Sequence, residues 1–113
     1  MTQTIIVADD HPLFRAALKQ AVSQAVPDAK TVEVDSIKAL QAAVESHPDA
    51  DLVLLDLNMP GAHGFSGLVF MRGQYPGLPV VVVSGSEEMQ VMRRSIDYGA
   101  SGFIPKSAPL PTI

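Results

Sequence analysis

The chain has 113 residues, of which 47% are hydrophobic and 18% charged, enough for one compact domain and too apolar for a disordered segment. It contains no cysteine, so disulfides, zinc–thiolate sites and thiol nucleophiles are excluded together. The formal net charge of −4, with eight Lys and Arg in all, opposes contact with a phosphate backbone, so this segment is not expected to grip DNA by itself.

Hydrophobic period and turn chemistry divide the chain into alternating strands and helices. Thr4 to Ala8 is a short β-rich run that stops at Asp9 and Asp10. Its apolar part is too short for a signal peptide and has no basic flank, and no apolar run is long enough to span a bilayer. A cytoplasmic location with no membrane contact is the resulting expectation. His11-Pro12 opens a helix, since proline suits a first turn, and Phe14, Ala17, Leu18, Ala21, Val22 and Ala25 share one face. Pro27-Asp28 ends it. Thr31 to Val34 alternates at period two, as a strand near a sheet edge does, and Asp35 or Ser36 caps a second helix with Ile37, Leu40 and Val44 inward.

Leu52 to Leu55 is apolar on both faces, the pattern of a central parallel strand, and it ends at Asp56. A loop through Asn58, Pro60 and Gly61 leads to a helix expected to turn Phe65, Leu68 and Val69 inward. Pro79 to Val83 is a second fully buried strand, ending at Ser84. Met89, Met92 and Ile96 mark the expected inner stripe of a fourth helix, which Gly99 terminates. Gly102 to Ile104 is the last strand and stops before Lys106. A fifth helix is expected from Ser107 onward, so it is largely missing from a chain that ends at Ile113.

Alternating units of this kind build an open parallel sheet through right-handed crossovers, with ligands beyond the carboxyl ends of the strands where strand order reverses. Asp9 and Asp10 follow the first strand, Asp56 the third, Ser84 the fourth and Lys106 the fifth. With strand order 2-1-3-4-5 these groups converge on one pocket. Carboxylates a few ångströms apart repel by roughly 4 kcal/mol per pair at an effective dielectric near 20, so they must hold a proton or a cation. A hard divalent ion fits, and Mg2+ suits a phosphate reaction. Lys106 and Ser84 supply a positive charge and a hydroxyl for phosphoryl oxygens, and one carboxylate can attack phosphorus.

These residues give the chain a resemblance to the receiver domain of two-component response regulators, covering all of it except the fifth helix. The matching stretches are Ala8-Asp9-Asp10-His11, Leu54-Leu55-Asp56-Leu57-Asn58-Met59-Pro60-Gly61, Val83-Ser84-Gly85 and Gly99-Ala100-Ser101-Gly102-Phe103-Ile104-Pro105-Lys106. The resemblance implies a flavodoxin-like (CheY-like) doubly wound α/β fold with one receiver domain over residues 1–113 and no output domain. It implies that Asp56 is the phosphoacceptor and that Asp9, Asp10, Asp56 and the backbone carbonyl of Asn58 surround Mg2+. Ser84 is then the switch hydroxyl, Phe103 the switch aromatic and Lys106 the phosphate-sensing lysine. The phosphodonor would be a histidine kinase or a small acyl phosphate, and the chain would catalyse only its own phosphorylation and dephosphorylation. The stretch Asp56 to Gly61 and the Gly-Ala-Ser-Gly-Phe phrase resemble the LuxR/NarL-type subgroup, in which DNA is reached through a helix-turn-helix output domain. A homodimer is a further expected partner. Ser107 after Lys106, where many receivers have proline, leaves a cis peptide there in doubt.

Each signal also has a plain structural reading. Asp9-Asp10 can cap the first helix, Ser84 with Glu87 makes a capping box, and a lysine at a strand end is usually solvated. Histidines 11, 47 and 63 share no ligand spacing, so no chemical role is expected of them. Two other functions compete. A phosphohydrolase of the haloacid-dehalogenase type needs a second aspartate where Asn58 stands, and a cap for which there is no length. A phosphate-independent pseudo-receiver would have no use for so much clustered negative charge.

Overall fold

A computed structural model describes residues 3–57, 59, 64–85 and 89–106. Strands and helices alternate: β1 (Thr4–Ala8), α1 (Pro12–Ala25), β2 (Lys30–Val34), α2 (Ile37–Ser46), β3 (Leu52–Asp56), α3 (Ser66–Gln74), β4 (Val80–Ser84), α4 (Met89–Asp97) and β5 (Gly102–Pro105). The strands form one parallel sheet in the order β2-β1-β3-β4-β5, as expected from the sequence. β1 and β3 are therefore neighbours although a strand and two helices separate them in sequence, and the order reverses at β1.

Period-two alternation sends successive residues of each central strand to opposite faces, and both faces are dry. Ile6, Ala8, Val53, Leu55, Val80 and Val82 pack with Leu40, Ala43 and Val44 of α2 and with Leu68 and Met71 of α3. Ile5, Val7, Leu54 and Val83 pack with Leu18 and Val22 of α1. Among the described residues α1 is the only helix on that second face. An apolar groove runs beside it, lined by Val22, Ala25 and Val26 with strand residues up to Ile104. The expected fifth helix falls at residues 107–113, outside the described residues.

The helix ends follow the local chemistry. Pro12 occupies the first turn of α1, and the Ser36 hydroxyl accepts a hydrogen bond from the Ala39 amide at 3.1 Å, which decides the cap of α2 in favour of Ser36. Gly99 follows α4 with φ +103°, a left-handed conformation that a side chain would strain. A Cβ there would also meet Arg72 Nε at 3.0 Å.

Inward assignments in α3 and α4 are overturned. Val69 of α3 is exposed; the stripe that packs runs from Leu68 to Met71, and Val69 lies a 100° step to one side of it. Met89, Met92 and Ile96 of α4 are 63%, 40% and 47% exposed. α4 instead packs through Val91 and Ser95, one turn apart, and the buried Ser95 hydroxyl donates to the Val91 carbonyl at 2.8 Å. Ala25, in the last turn of α1, is exposed but lines the apolar groove together with Val22, on the shared face read from the sequence.

Candidate functional site

The sheet register sets the site. Ala8 pairs with Leu55, so Asp9 and Asp56, each one residue further on, leave the sheet at the same level on adjacent strands. Asp56 pairs with Val83 and Ser84 with Pro105, which puts Ser84 and Lys106 one residue beyond those levels at the same edge. The Lys106 amide donates to the Ser84 carbonyl at 2.7 Å and ties the ends of β4 and β5 together.

Asp9 and Asp56 are almost wholly buried, and Ser84 is buried beside them. Lys106 closes the pocket. Its Nζ lies 3.1 Å from Asp9 Oδ2 and 3.3 Å from Asp56 Oδ2, and over the Phe14 ring, 4.9 Å from its centroid. The end of β1 is held from the other side, where Arg15 Nη1 donates to the Asp9 carbonyl at 2.9 Å. Arg15 Nε sits 3.4 Å from Glu33 Oε1, so the guanidinium bridges β1, α1 and β2.

Sequence reasoning passed over His11, and the structure places it in the site. Its amide donates to Asp9 Oδ1 at 2.7 Å, which starts α1. Its Nδ1 lies 3.2 Å from both Asp9 Oδ1 and Asp10 Oδ1, 3.7 Å from Asp56 Oδ2 and 3.0 Å from Lys106 Nζ. His11 therefore sits among the site residues, a position that the sequence reading did not assign to it. The signal was the Asp9-Asp10-His11 run itself, because a residue directly after a strand-end carboxylate pair starts a helix over the same pocket. His47, by contrast, sits at the C-cap of α2.

One ligand atom from each of Asp9, Asp10, His11 and Asp56 can be chosen so that all four lie within 4.8 Å of one another. Asp9 Oδ2 and Asp10 Oδ1 are buried and accept no hydrogen bond. Buried carboxylate oxygens left in that state fit a cation-binding site. Asn58, expected to add a backbone carbonyl, lies outside the described residues, as do Glu87 of the capping-box reading and the Lys106–Ser107 peptide. Phe103 is on β5 but away from the carboxylates: its ring is half-buried against the core and borders a groove with Met92 and Ile96 of α4.

Residues 5–113 match the family model of the response regulator receiver domain. The chain belongs to that family. It is 45% identical over 105 residues to the glycerol metabolism activator of Pseudomonas putida, covering 93% of this chain and 48% of the relative. It is 36% identical over 103 residues to the nitrate/nitrite response regulator protein NarL of Escherichia coli K12, covering 91% of this chain and 47% of that one. Among solved structures, the signal receiver domain of the response regulator NarL from Mycobacterium tuberculosis superposes with a TM-score of 0.83 at 29% identity, over 96% of this chain and 87% of that domain. The RcsB response regulator of Salmonella typhimurium has the same fold, with a TM-score of 0.88 at 21% identity over 99% of this chain and 57% of that one. The receiver is thus of the NarL/LuxR type, and it spans about half the length of the curated relatives it matches. No described helix is long and apolar enough to cross a membrane.

Proposed function

We propose that this receiver domain takes a phosphoryl group onto Asp56 and changes its surface in response. The observation that carries the reading is the placement of one ammonium, Lys106 Nζ, within 3.3 Å of both Asp56 and Asp9 at the mouth of a buried acidic pocket. In the reaction, an Asp56 carboxylate oxygen forms a bond to phosphorus as the bond between phosphorus and the donor breaks. The leaving group departs with the bonding electron pair: the imidazole of a phosphohistidine in a histidine kinase, or the carboxylate of a small acyl phosphate. A phosphoryl group carries negative charge into a pocket that is already acidic, so transfer depends on placement and charge neutralisation.

Asp9, Asp10 and Asp56, with the Asn58 carbonyl, are the residues that would hold Mg2+. When bound, that ion supplies charge neutralisation for the carboxylates and the arriving phosphoryl oxygens. Lys106 turns its ammonium from Asp56 to a phosphoryl oxygen, and the Ser84 hydroxyl donates to another. Because Lys106 is the residue directly after β5, its movement pulls on the strand that carries Phe103. The ring and the exposed apolar stripe of α4 beside it form the surface that reads the switch. The chain catalyses its own phosphorylation and dephosphorylation and acts on no other substrate. With relatives twice its length, the chain is the N-terminal receiver of a cytoplasmic transcriptional regulator whose output half binds DNA.

Incubation with acetyl phosphate and Mg2+, followed by intact-mass measurement, tests the reading. One added phosphoryl group in the wild-type chain and none in Asp56→Asn is the expected result. Equal uptake by both would overturn it.

A further inference from the structure

Mg2+ is satisfied by oxygen alone, yet the pocket contains a nitrogen donor that no step above uses. We propose that His11 makes this a mixed nitrogen–oxygen site, one that takes a first-row transition dication such as Mn2+ or Ni2+ with the imidazole as a ligand. The inference rests on the metal reading of the same pocket and adds to it the class of ion.

The geometry supports four donors on one ion. Ligand atoms held at 2.0–2.2 Å from one metal stand no more than about 4.4 Å apart. The donor atoms of Asp9, Asp10, His11 and Asp56 already fall within 4.8 Å, so a few tenths of an ångström of closure brings them into range. The two carboxylates at strand ends are fixed by the sheet, whereas the imidazole side chain is 62% exposed at the mouth and free to make the adjustment. Asp9 Oδ2 is buried without a hydrogen bond, and the lysine ammonium lies 3.1 Å from it. Lys106 is therefore what an entering ion displaces: it lies against oxygens of Asp9 and Asp56 and against His11 Nδ1 at once.

The chemistry then separates the ions. Mg2+ prefers oxygen ligands and gives up water reluctantly, so it gains nothing from an imidazole. Affinity for nitrogen donors rises through Mn2+ and Co2+ to Ni2+, so the nitrogen favours the later ions over Mg2+. The same His11 Nδ1 would be lost to the ammonium of Lys106 when no ion is present, which makes the lysine and the ion alternatives for one set of atoms.

The test is calorimetric titration of the metal-free chain with Ni2+ and with Mg2+, with pulsed electron paramagnetic resonance of the Mn2+-loaded chain. Wild type is expected to show nitrogen modulation on Mn2+, lost in His11→Gln. The same substitution is expected to weaken Ni2+ about tenfold and Mg2+ less than about twofold. Nitrogen modulation absent from wild type, or Ni2+ held equally well by His11→Gln, overturns the role of His11 while Mg2+ binding still stands. If neither ion binds wild type above the level of Asp56→Asn, the metal reading fails and this inference with it.

Discussion

Replacing Asp56 by asparagine removes one charge from a crowded pocket, and the structure gives the sign of the effect on stability. The Asp56 donor atom lies within 4.8 Å of those of Asp9 and Asp10, so each repulsion is at least about 3.5 kcal/mol at an effective dielectric of 20. Against these two repulsions stands the attraction of Lys106 Nζ at 3.3 Å, of about 5 kcal/mol on the same scale. Between these charges repulsion exceeds attraction by about 2 kcal/mol, and the amide also escapes the desolvation of a buried charge. The metal-free Asp56→Asn chain should therefore be more stable than wild type by about 1–2 kcal/mol, which raises Tm by several degrees in a domain of this size. Mg2+ should reverse the order. Wild type gains about 2.7 kcal/mol at a hundredfold excess over its Kd, and the variant, with one ligand fewer, gains less. Urea and thermal unfolding in chelator and in saturating Mg2+ measure both halves. A metal-free variant less stable than wild type would mean that Asp56 holds the fold together, and the charge reasoning would be wrong.

The other expectations follow from single contacts. Lys106→Met strands Asp9 and Asp56 as buried charges without their shared cation and should cost about 3 kcal/mol in chelator, with Mg2+ restoring part of it; urea unfolding reads this, and a loss under 1 kcal/mol would show that the pair is solvated. The same variant should still accept a phosphoryl group but show a reduced change in amide exchange over α4 and Phe103; an unchanged response removes the lysine from the switch. Asp10→Ala should bind Mg2+ more weakly by calorimetry, and equal affinity would remove Asp10 from the metal site. Ser36→Ala should cost about 1 kcal/mol through the lost cap on α2, and a change within a few tenths would mean that the bond at 3.1 Å contributes nothing.

The strands were legible because their boundaries carry their own chemistry. Apolar runs stop at Asp9, Asp56 and Ser84, where a parallel sheet must hand the chain to a helix, and the observed strands end at or next to those residues. The convergence of the polar groups followed from strand order alone. What a helix packs with was less legible. The Met89, Met92 and Ile96 stripe of α4 has the spacing of a buried face, but the buried position is Ser95, a small polar residue that satisfies its own hydroxyl within the helix. Periodicity finds the apolar face of a helix without telling which face meets the sheet. His11 was missed for a related reason. Two of its neighbours in the site, Asp56 and Lys106, come from elsewhere in the chain, and ligand spacing measured along the sequence cannot register them.

The most direct test of phosphoryl transfer to Asp56 is to find the bond. An aspartyl phosphate is an acyl phosphate, and borohydride reduces it to homoserine at the residue that carried it. Wild-type chain treated with acetyl phosphate and Mg2+, then with borohydride, should yield homoserine at position 56 and at no other aspartate in the peptide map. Homoserine at Asp9 or Asp10, or at none of the three, would contradict the account.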